Sequence, residues 1–142
     1  MKKIEYALAI AEQLLNTPYR WGGNDPMEGF DCSGLIIEIL QSVGLFKRDK
    51  DTTAHGLSLL YPETDVLEAG TLVFYDWNGD KRMDHVEMII AIDEDGQLFT
   101  IGASGGDDKT TSLTNAQMQN AYVKIRPLRE GYIKAVNPFE AV

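Results

Sequence analysis

The chain has 142 residues, a formal net charge of −9 and a hydrophobic fraction of 44%. A chain of this length and composition can bury a core of its own, so we predict a single domain over residues 1–142. The acidic charge disfavours nucleic acid and anionic membranes as partners, and no apolar run is long enough to cross a bilayer.

The first half of the chain has the periodicity of helices. Residues 3–16 place their apolar side chains on one helical face, and the same spacing recurs over residues 32–43. Residues 19–31, between these two helices, are rich in glycine and aromatic residues and are expected to form a loop. A short third helix is predicted over residues 52–60.

The second half of the chain has the pattern of strands. Runs rich in β-branched and aromatic residues predict strands over residues 71–75, 85–92, 97–101 and 122–126, and an Asp-Gly pair marks a hairpin turn between the second and the third. Helices followed by strands predict an α+β fold, in which N-terminal helices pack on an antiparallel β-sheet.

Cys32 is the only cysteine in the chain, so no disulfide can form within it. Asp31 stands where an N-cap belongs, which places Cys32 in the first turn of the second helix. There the unpaired backbone N–H groups and the positive end of the helix dipole favour a thiolate, the nucleophilic form of cysteine. The alternative is a buried structural thiol, because Cys32 also lies on the apolar face of its helix.

A cysteine nucleophile needs a base beside it, and histidine is the usual one. Of the two histidines, His85 begins a predicted strand. Packing of that strand against the start of the cysteine helix would bring the imidazole to Cys32. His55 lies in the short third helix and is expected to be a solvated helix residue.

Four segments carry a resemblance to a known family. In chain order they are Pro-Tyr-Arg-Trp-Gly-Gly at 18–23, Gly-Phe-Asp-Cys-Ser-Gly-Leu at 29–35, Ala-Gly-Thr-Leu-Val-Phe at 69–74 and His-Val at 85–86. The sequence resembles the NlpC-type cell-wall cysteine peptidases of the papain-like superfamily. The resemblance implies a papain-like fold and thiol protease activity, with Cys32 as the nucleophile and His85 as the general base.

The resemblance also implies a substrate-binding role for residues around the cysteine. Tyr19, Asp31 and Ser33 match family positions that line the site. In members that require a free N-terminal L-alanine, the positions of Asp31 and Ser33 hold its ammonium group. Trp21 is a further candidate for substrate binding. The alternative roles are helix capping for Asp31 and loop packing for Tyr19 and Trp21, and loop packing is the more natural role of Trp21.

One position departs from the family pattern. In the family a third polar residue, often histidine, orients the base from the next strand, but here Gly102 stands at that place. Period-two alternation puts Thr100 on the same face of the strand, so Thr100 is the candidate orienting residue. Ser104, a backbone carbonyl or water are alternatives. The departure also leaves open a module that binds wall peptides without cleaving them.

Oxygen-bearing side chains recur before the second strand with the spacing of a calcium-binding loop. Positions 1, 3, 5 and 9 of such a loop are Asp76, Asn78, Asp80 and Asp84. Glu87 stands at position 12, but it also faces the same side of its strand as His85. Lys81 occupies the position where such loops need glycine. The alternative is therefore an ordinary acidic turn, and the expected peptidase chemistry itself requires no cofactor.

The resemblance implies hydrolysis of peptidoglycan stem peptides, and in finer detail of the bond between γ-D-glutamate and a diamino acid. Two other functions would use the same residues. One is binding of wall peptides without cleavage, and the other is acyl transfer from the Cys–His pair to a different acceptor.

The start of the chain lacks the apolar segment of a secretory signal. We therefore expect the protein to be cytoplasmic at synthesis. It would either recycle wall fragments there or reach the wall as a phage or mobile-element enzyme. Release by lysis, or incorporation into a phage tail or injection apparatus, would then deliver it.

Overall fold

The computed structural model describes residues 2–140, which form four helices and seven strands. The helices are α1 (Lys3–Gln13), α2 (Cys32–Ser42), α3 (Ala54–Ser58) and α4 (Leu113–Gln119). The strands are β1 (Asn24–Asp25), β2 (Gly29–Phe30), β3 (Leu72–Tyr75), β4 (His85–Ile92), β5 (Leu98–Ser104), β6 (Tyr122–Pro127) and β7 (Lys134–Val136). Within residues 2–140, no helix combines the length and the hydropathy needed to cross a membrane.

Five of the strands form one antiparallel sheet in the order β6-β5-β4-β3-β7, whereas β1 and β2 pair separately. Strand β4 lies at the centre of the large sheet. Its register with β3 sets Tyr75 opposite His85 and Val73 opposite Glu87. The predicted α+β fold, with helices packed on an antiparallel sheet, is confirmed.

Helix α2 packs on β4 and β5 and supplies much of the core. Its fully buried apolar side chains are Leu35, Ile36, Ile37, Ile39 and Leu40. Burial of a side chain of this size stabilises the fold by about 1.5–3 kcal/mol. Because this apolar face packs against the sheet, the first turn of α2 has a fixed position beside the strands.

Several boundaries differ from those predicted. Helix α1 ends at Gln13, because Asn16 has a left-handed backbone with φ of 69° that an α-helix cannot continue. Helix α3 is shorter than predicted at both ends. The sequence pattern does not predict α4 or β7. Helix α4 has a single buried residue, Ala116, and therefore no apolar stripe, and β7 is a three-residue strand at the sheet edge.

Candidate active site

Asp31 caps α2 and shapes its first turn, as predicted. Its Oδ1 accepts hydrogen bonds from the backbone N–H of Gly34 at 2.7 Å and from the hydroxyl of Ser33 at 3.2 Å. The backbone N–H of Asp31 donates to the carbonyl of Gly23 at 3.0 Å. Of the four N–H groups that a helix start leaves without an intrahelical acceptor, those of Cys32 and Ser33 therefore remain for other acceptors.

Cys32 lies beside the start of β4. Its Sγ is 3.8 Å from the backbone carbonyl oxygen of Asp84, the residue that precedes His85. The side chains of Cys32 and His85 line the same open cavity, which has a volume of about 540 Å³. The packing of α2 against β4 thus brings the predicted nucleophile and the predicted base into one site.

Burial controls the protonation of Cys32. Desolvation and the neighbouring Asp31 carboxylate raise the pKa of the thiol to about 12, whereas the backbone N–H groups of Val86, Ser33 and Cys32 itself act in the opposite direction. The helix start favours the thiolate, as expected, but it does not outweigh desolvation. The thiol therefore needs a positioned base at neutral pH, and this is the role open to His85.

The imidazole of His85 is held by two side chains and is only 3% exposed. Its Nε2 lies 2.6 Å from Oε2 of Glu87, two residues further along β4. The indole of Trp77 stacks on the imidazole, with ring centroids 4.8 Å apart and planes inclined by 20°. These contacts engage Nε2 and one ring face, which leaves Nδ1 as the nitrogen available to the thiol.

Glu87, rather than Thr100, contacts the imidazole of His85. The hydroxyl of Thr100 donates to Oε1 of Glu87 at 2.7 Å, so the structure corrects the prediction that Thr100 orients His85 directly. The physical reason lies at Gly102, where an added Cβ would be 2.8 Å from Cγ of Glu87. The Glu87 side chain occupies the space that a side chain at Gly102 would need, and it separates Thr100 from the imidazole.

The Glu87 carboxylate is completely buried yet remains ionised. Desolvation opposes its charge, but hydrogen bonds from His85 and Thr100 and the positive charge of Arg129 outweigh that effect and lower its pKa. The Arg129 Nη2 atom lies 3.9 Å from Oε2 of Glu87. Strand alternation indicates that Glu87 faces the same side as His85, but no sequence pattern pairs the two or places Arg129 and Trp77 beside them.

Tyr19, which matches a site-lining position of the family, and Trp21, a further candidate, both line the cavity. Tyr19 is buried, and desolvation raises the pKa of its hydroxyl, with further electrostatic contributions from Cys32, Asp31 and Asp107. Trp21 is 55% exposed at the cavity rim. Tyr19 therefore packs in the core and also lines the cavity. The indole of Trp21 is exposed, so a molecule bound in the cavity could contact it.

Asp31 and Ser33 do not belong to the cavity lining among the described residues. Their side chains bond to each other and to the first turn of α2, and burial raises the pKa of Asp31 above its ordinary value. The capping role of Asp31 is confirmed. The binding of a substrate ammonium group by Asp31 and Ser33 stays a prediction.

The predicted calcium loop precedes β4. Single ligand atoms of Asp76, Asp80 and Asp84 lie within 4.8 Å of one another. Their oxygens accept hydrogen bonds within the loop, such as those from the backbone N–H of Lys81 to Asp76 at 2.7 Å and from the Asn78 amide to Asp84 at 3.2 Å. Glu87, which stands at position 12 of the calcium-loop spacing, contacts the imidazole of His85 instead of this loop. The calcium site stays a prediction.

His55 is half-buried rather than simply solvated. Its Nδ1 accepts a hydrogen bond from the backbone N–H of Met83 at 3.1 Å. This bond ties α3 to the segment that leads into β4. His55 therefore has a structural contact close to the site, which the weak helical pattern around it does not reveal.

An α2 cysteine and a buried, carboxylate-bound histidine that share one cavity can together activate a thiol nucleophile. The chain belongs to the NlpC/P60 family, whose family model matches residues 16–135. The resemblance that the four sequence segments carry is confirmed.

Two curated relatives illustrate the similarity. The chain is 30% identical over 127 residues to the murein DD-endopeptidase MepH of Escherichia coli, a match that covers 88% of this chain and 46% of MepH. It is 33% identical over 89 residues to the bifunctional muramidase/DL-endopeptidase CwlT of Bacillus subtilis, with 62% and 26% covered. The chain thus spans less than half the length of these relatives.

Solved structures share the fold. An NlpC/P60 family protein from Bacillus cereus superposes with a TM-score of 0.72 at 24% identity, covering 96% of this chain and 40% of that one. The NlpC/p60 domain of the peptidoglycan hydrolase SagA superposes with a TM-score of 0.66 at 23% identity, with 94% and 97% covered. The second match is a domain of nearly the same extent as this chain.

Proposed function

We propose that this chain is a cysteine peptidase that hydrolyses amide bonds in the stem peptides of peptidoglycan. The observation that carries the proposal is the cavity shared by Cys32 and His85, with the imidazole bound to a buried carboxylate. The substrate class is supported by relatives that are named murein or peptidoglycan endopeptidases.

Acylation begins with proton transfer from the Cys32 thiol to Nδ1 of His85. The Sγ atom attacks the carbonyl carbon of the scissile amide, and the carbonyl oxygen becomes an oxyanion. The backbone N–H groups of Cys32 and Ser33 stabilise it, since neither has an acceptor within the helix. The C–N bond then breaks, and His85 returns its proton to the leaving amine.

Deacylation reverses the roles. A water molecule gives a proton to His85 as its oxygen attacks the carbonyl carbon of the thioester on Cys32. The bond between the carbonyl carbon and Sγ breaks, the thiolate regains the proton, and a carboxylic acid leaves the site. The cycle consumes one water molecule and requires no metal ion or cofactor.

In finer detail, we propose that cleavage falls between γ-D-glutamate and a diamino acid. The support is the resemblance of residues 29–35 to family members with that preference, in which Asp31 and Ser33 would hold the ammonium of a free L-alanine beside Tyr19. The relatives are named as DD- and DL-endopeptidases, so the bond that is cut differs among them and has to be measured directly.

Defined muropeptides test the proposal. The protein is incubated with stem peptides of known sequence, and the products are identified by mass spectrometry. We expect two fragments whose masses add up to that of the substrate plus one water, and none with Cys32→Ala. An intact substrate at all enzyme concentrations would contradict the peptidase activity.

Two other functions are distinguished in the same experiment. Saturable binding of the muropeptide without products would indicate a binding module. Products that carry an added amine in place of water would indicate an acyltransferase. The binding module rests on the missing side chain at Gly102, and the carboxylate of Glu87 beside His85 weakens that alternative.

We propose two settings for the activity. A phage or mobile-element enzyme would act on the wall after lysis or injection, and a cytoplasmic enzyme would act on recycled wall fragments. Cleavage of intact sacculi supports the first setting, whereas cleavage of soluble muropeptides alone supports the second.

A further inference from the structure

We propose that Glu87 is the positioning residue of this site. Its carboxylate, rather than a side chain from β5, fixes the ring of His85 and stabilises the imidazolium that forms when Cys32 is deprotonated. The inference rests on the proposed function in that it assumes a working Cys–His pair, but it does not depend on which substrate is cut.

The geometry of the carboxylate supports this role. Both oxygens of Glu87 have defined partners: Oε2 lies 2.6 Å from Nε2 of His85, and Oε1 accepts from the hydroxyl of Thr100 at 2.7 Å. Arg129 adds a positive charge at 3.9 Å from Oε2. A carboxylate held from both sides and completely buried has little freedom to release the imidazole.

The backbone explains why the carboxylate comes from β4. His85 and Glu87 are two residues apart on one strand, so their side chains leave the same face. The antiparallel register that pairs Met88 with Ile101 brings Gly102 alongside Glu87. Any Cβ at that position would be 2.8 Å from Cγ of Glu87. The absence of a side chain at Gly102 on β5 therefore leaves the space that the side chain of Glu87 on β4 fills.

Proton transfer from the thiol of Cys32 to the imidazole of His85 creates a thiolate and an imidazolium away from water. The negative charge of Glu87 matters because it stabilises that imidazolium. A neighbouring carboxylate favours the imidazolium, and through it the thiolate. Desolvation favours the proton on the sulfur, since burial raises the pKa of Cys32 to about 12, so loss of that proton depends on a stabilised imidazolium. Glu87 would thus set how much thiolate the site contains at neutral pH.

The other charged or titratable groups around Cys32 and His85 do not supply the negative charge that Glu87 places beside the imidazole. They are Asp31 and Cys32 at the start of α2, Asp84 before β4, Tyr75 of β3, Arg126 of β6 and Arg129 after β6, together with Tyr19 and Asp107 in the cavity. Desolvation, followed by the charge of Glu87, raises the pKa of Tyr75 to about 12, so its hydroxyl stays protonated. The two guanidinium groups are positive throughout and disfavour an imidazolium. Asp84 remains beside the site in every variant below.

The test uses the single cysteine as its own reporter. The rate of Cys32 alkylation by iodoacetamide is measured from pH 5 to pH 11 in the full chain and in Glu87→Gln. The amide keeps an oxygen for Nε2–H but removes the charge. We expect the rate at neutral pH to fall by about tenfold or more, and the ratio of the two rates to narrow toward pH 11, where hydroxide begins to form the thiolate without His85. Equal rates at neutral pH in a folded variant overturn the proposal.

A double-mutant cycle separates positioning from structural damage. In a His85→Ala background, Glu87→Gln should change the alkylation rate no further, because Glu87 acts through the imidazole. An equal loss in both backgrounds overturns the proposal. Glu63→Gln is the matched control: its exposed carboxylate pairs with Lys134 at 3.3 Å, away from the cavity. This control should follow the parent profile.

A measurement on the unaltered chain covers the case in which Glu87→Gln does not fold. Nitrogen-15 NMR of labelled histidine reports which ring nitrogen carries the proton, and His55→Ala assigns the two signals. The bond to Glu87 requires Nε2 of His85 to stay protonated across neutral pH. An unprotonated Nε2 overturns the proposal. If peptide cleavage fails while the alkylation and NMR results agree with the expectation, the proposed function is wrong and this inference stands.

Discussion

The backbone carbonyl oxygen of Asp84 lies 3.8 Å from Sγ of Cys32. This contact joins the first turn of α2 to the residue that precedes His85. The proposed nucleophile and the proposed base are therefore brought together where a helix start packs on a strand start. Changes at either end can be examined separately, because Cys32 and His85 lie on different elements.

Replacement of Cys32 by alanine should abolish peptide hydrolysis and leave the fold intact. The side chain is small, so its loss changes the free energy of unfolding by no more than about 1 kcal/mol. Muropeptide cleavage and thermal melting are measured side by side, with complete loss of iodoacetamide labelling as the control. Full hydrolysis by the alanine variant would contradict the mechanism.

Replacement of His85 by alanine should cost nearly as much activity as loss of the cysteine, because nucleophile and base act as a unit. His55→Ala is the matched comparison. It removes the acceptor for the Met83 N–H, so we expect a loss of about 0.5–1.5 kcal/mol in stability and a much smaller loss in kcat/KM. An inactive His55 variant beside an active His85 variant would reverse the assignment of the base.

Replacement of Asp31 separates helix capping from substrate recognition. Asp31→Ala removes the acceptor of the Gly34 N–H and should lower stability by about 1 kcal/mol. Asp31→Asn keeps an acceptor but removes the charge, so it should retain most of the stability. If Asp31 holds an ammonium group, both variants should raise KM for peptides with a free N-terminus only. Equal losses on free and N-acetylated peptides would leave capping as its sole role.

The lowered pKa of Glu87 predicts an acid-dependent component of stability. Its folded-state pKa lies below the ordinary value of 4.5, so ionised Glu87 stabilises the fold above that pH. This contribution is lost as the pH falls through the folded pKa. We expect the melting temperature of the parent to fall more steeply below pH 4.5 than that of Glu87→Gln. Parallel curves of melting temperature against pH for the two proteins would show that ionisation of Glu87 does not contribute to stability.

Calcium should leave the melting temperature of this chain nearly unchanged. The Asp76 and Asp84 carboxylates already accept hydrogen bonds from their own loop, and Lys81 adds a positive charge there. Melting with excess calcium and then with a chelator measures the effect, and Asp80→Asn is the control variant. A midpoint that rises with calcium concentration, and does not rise in the control, would establish a binding site.

The sequence alone determined the parts of this protein that depend on local patterns. Helical periodicity predicts α2, and a run rich in β-branched residues predicts β4. A short polar residue before the apolar run of α2 identifies Asp31 as the cap, and the segment around Cys32 indicates the family. These signals are strong because a helix cap, a buried helical face and a nucleophile at a helix start each need particular residue types within one or two turns.

Long-range packing determines which groups surround the imidazole of His85. Period-two alternation allowed both Glu87 and Thr100 to face His85, and the β4–β5 register together with the space at Gly102 selected Glu87. The stacking of Trp77 on the imidazole likewise depends on long-range packing. Desolvation of Cys32 is also invisible in the sequence, because it depends on how completely the surrounding elements exclude water.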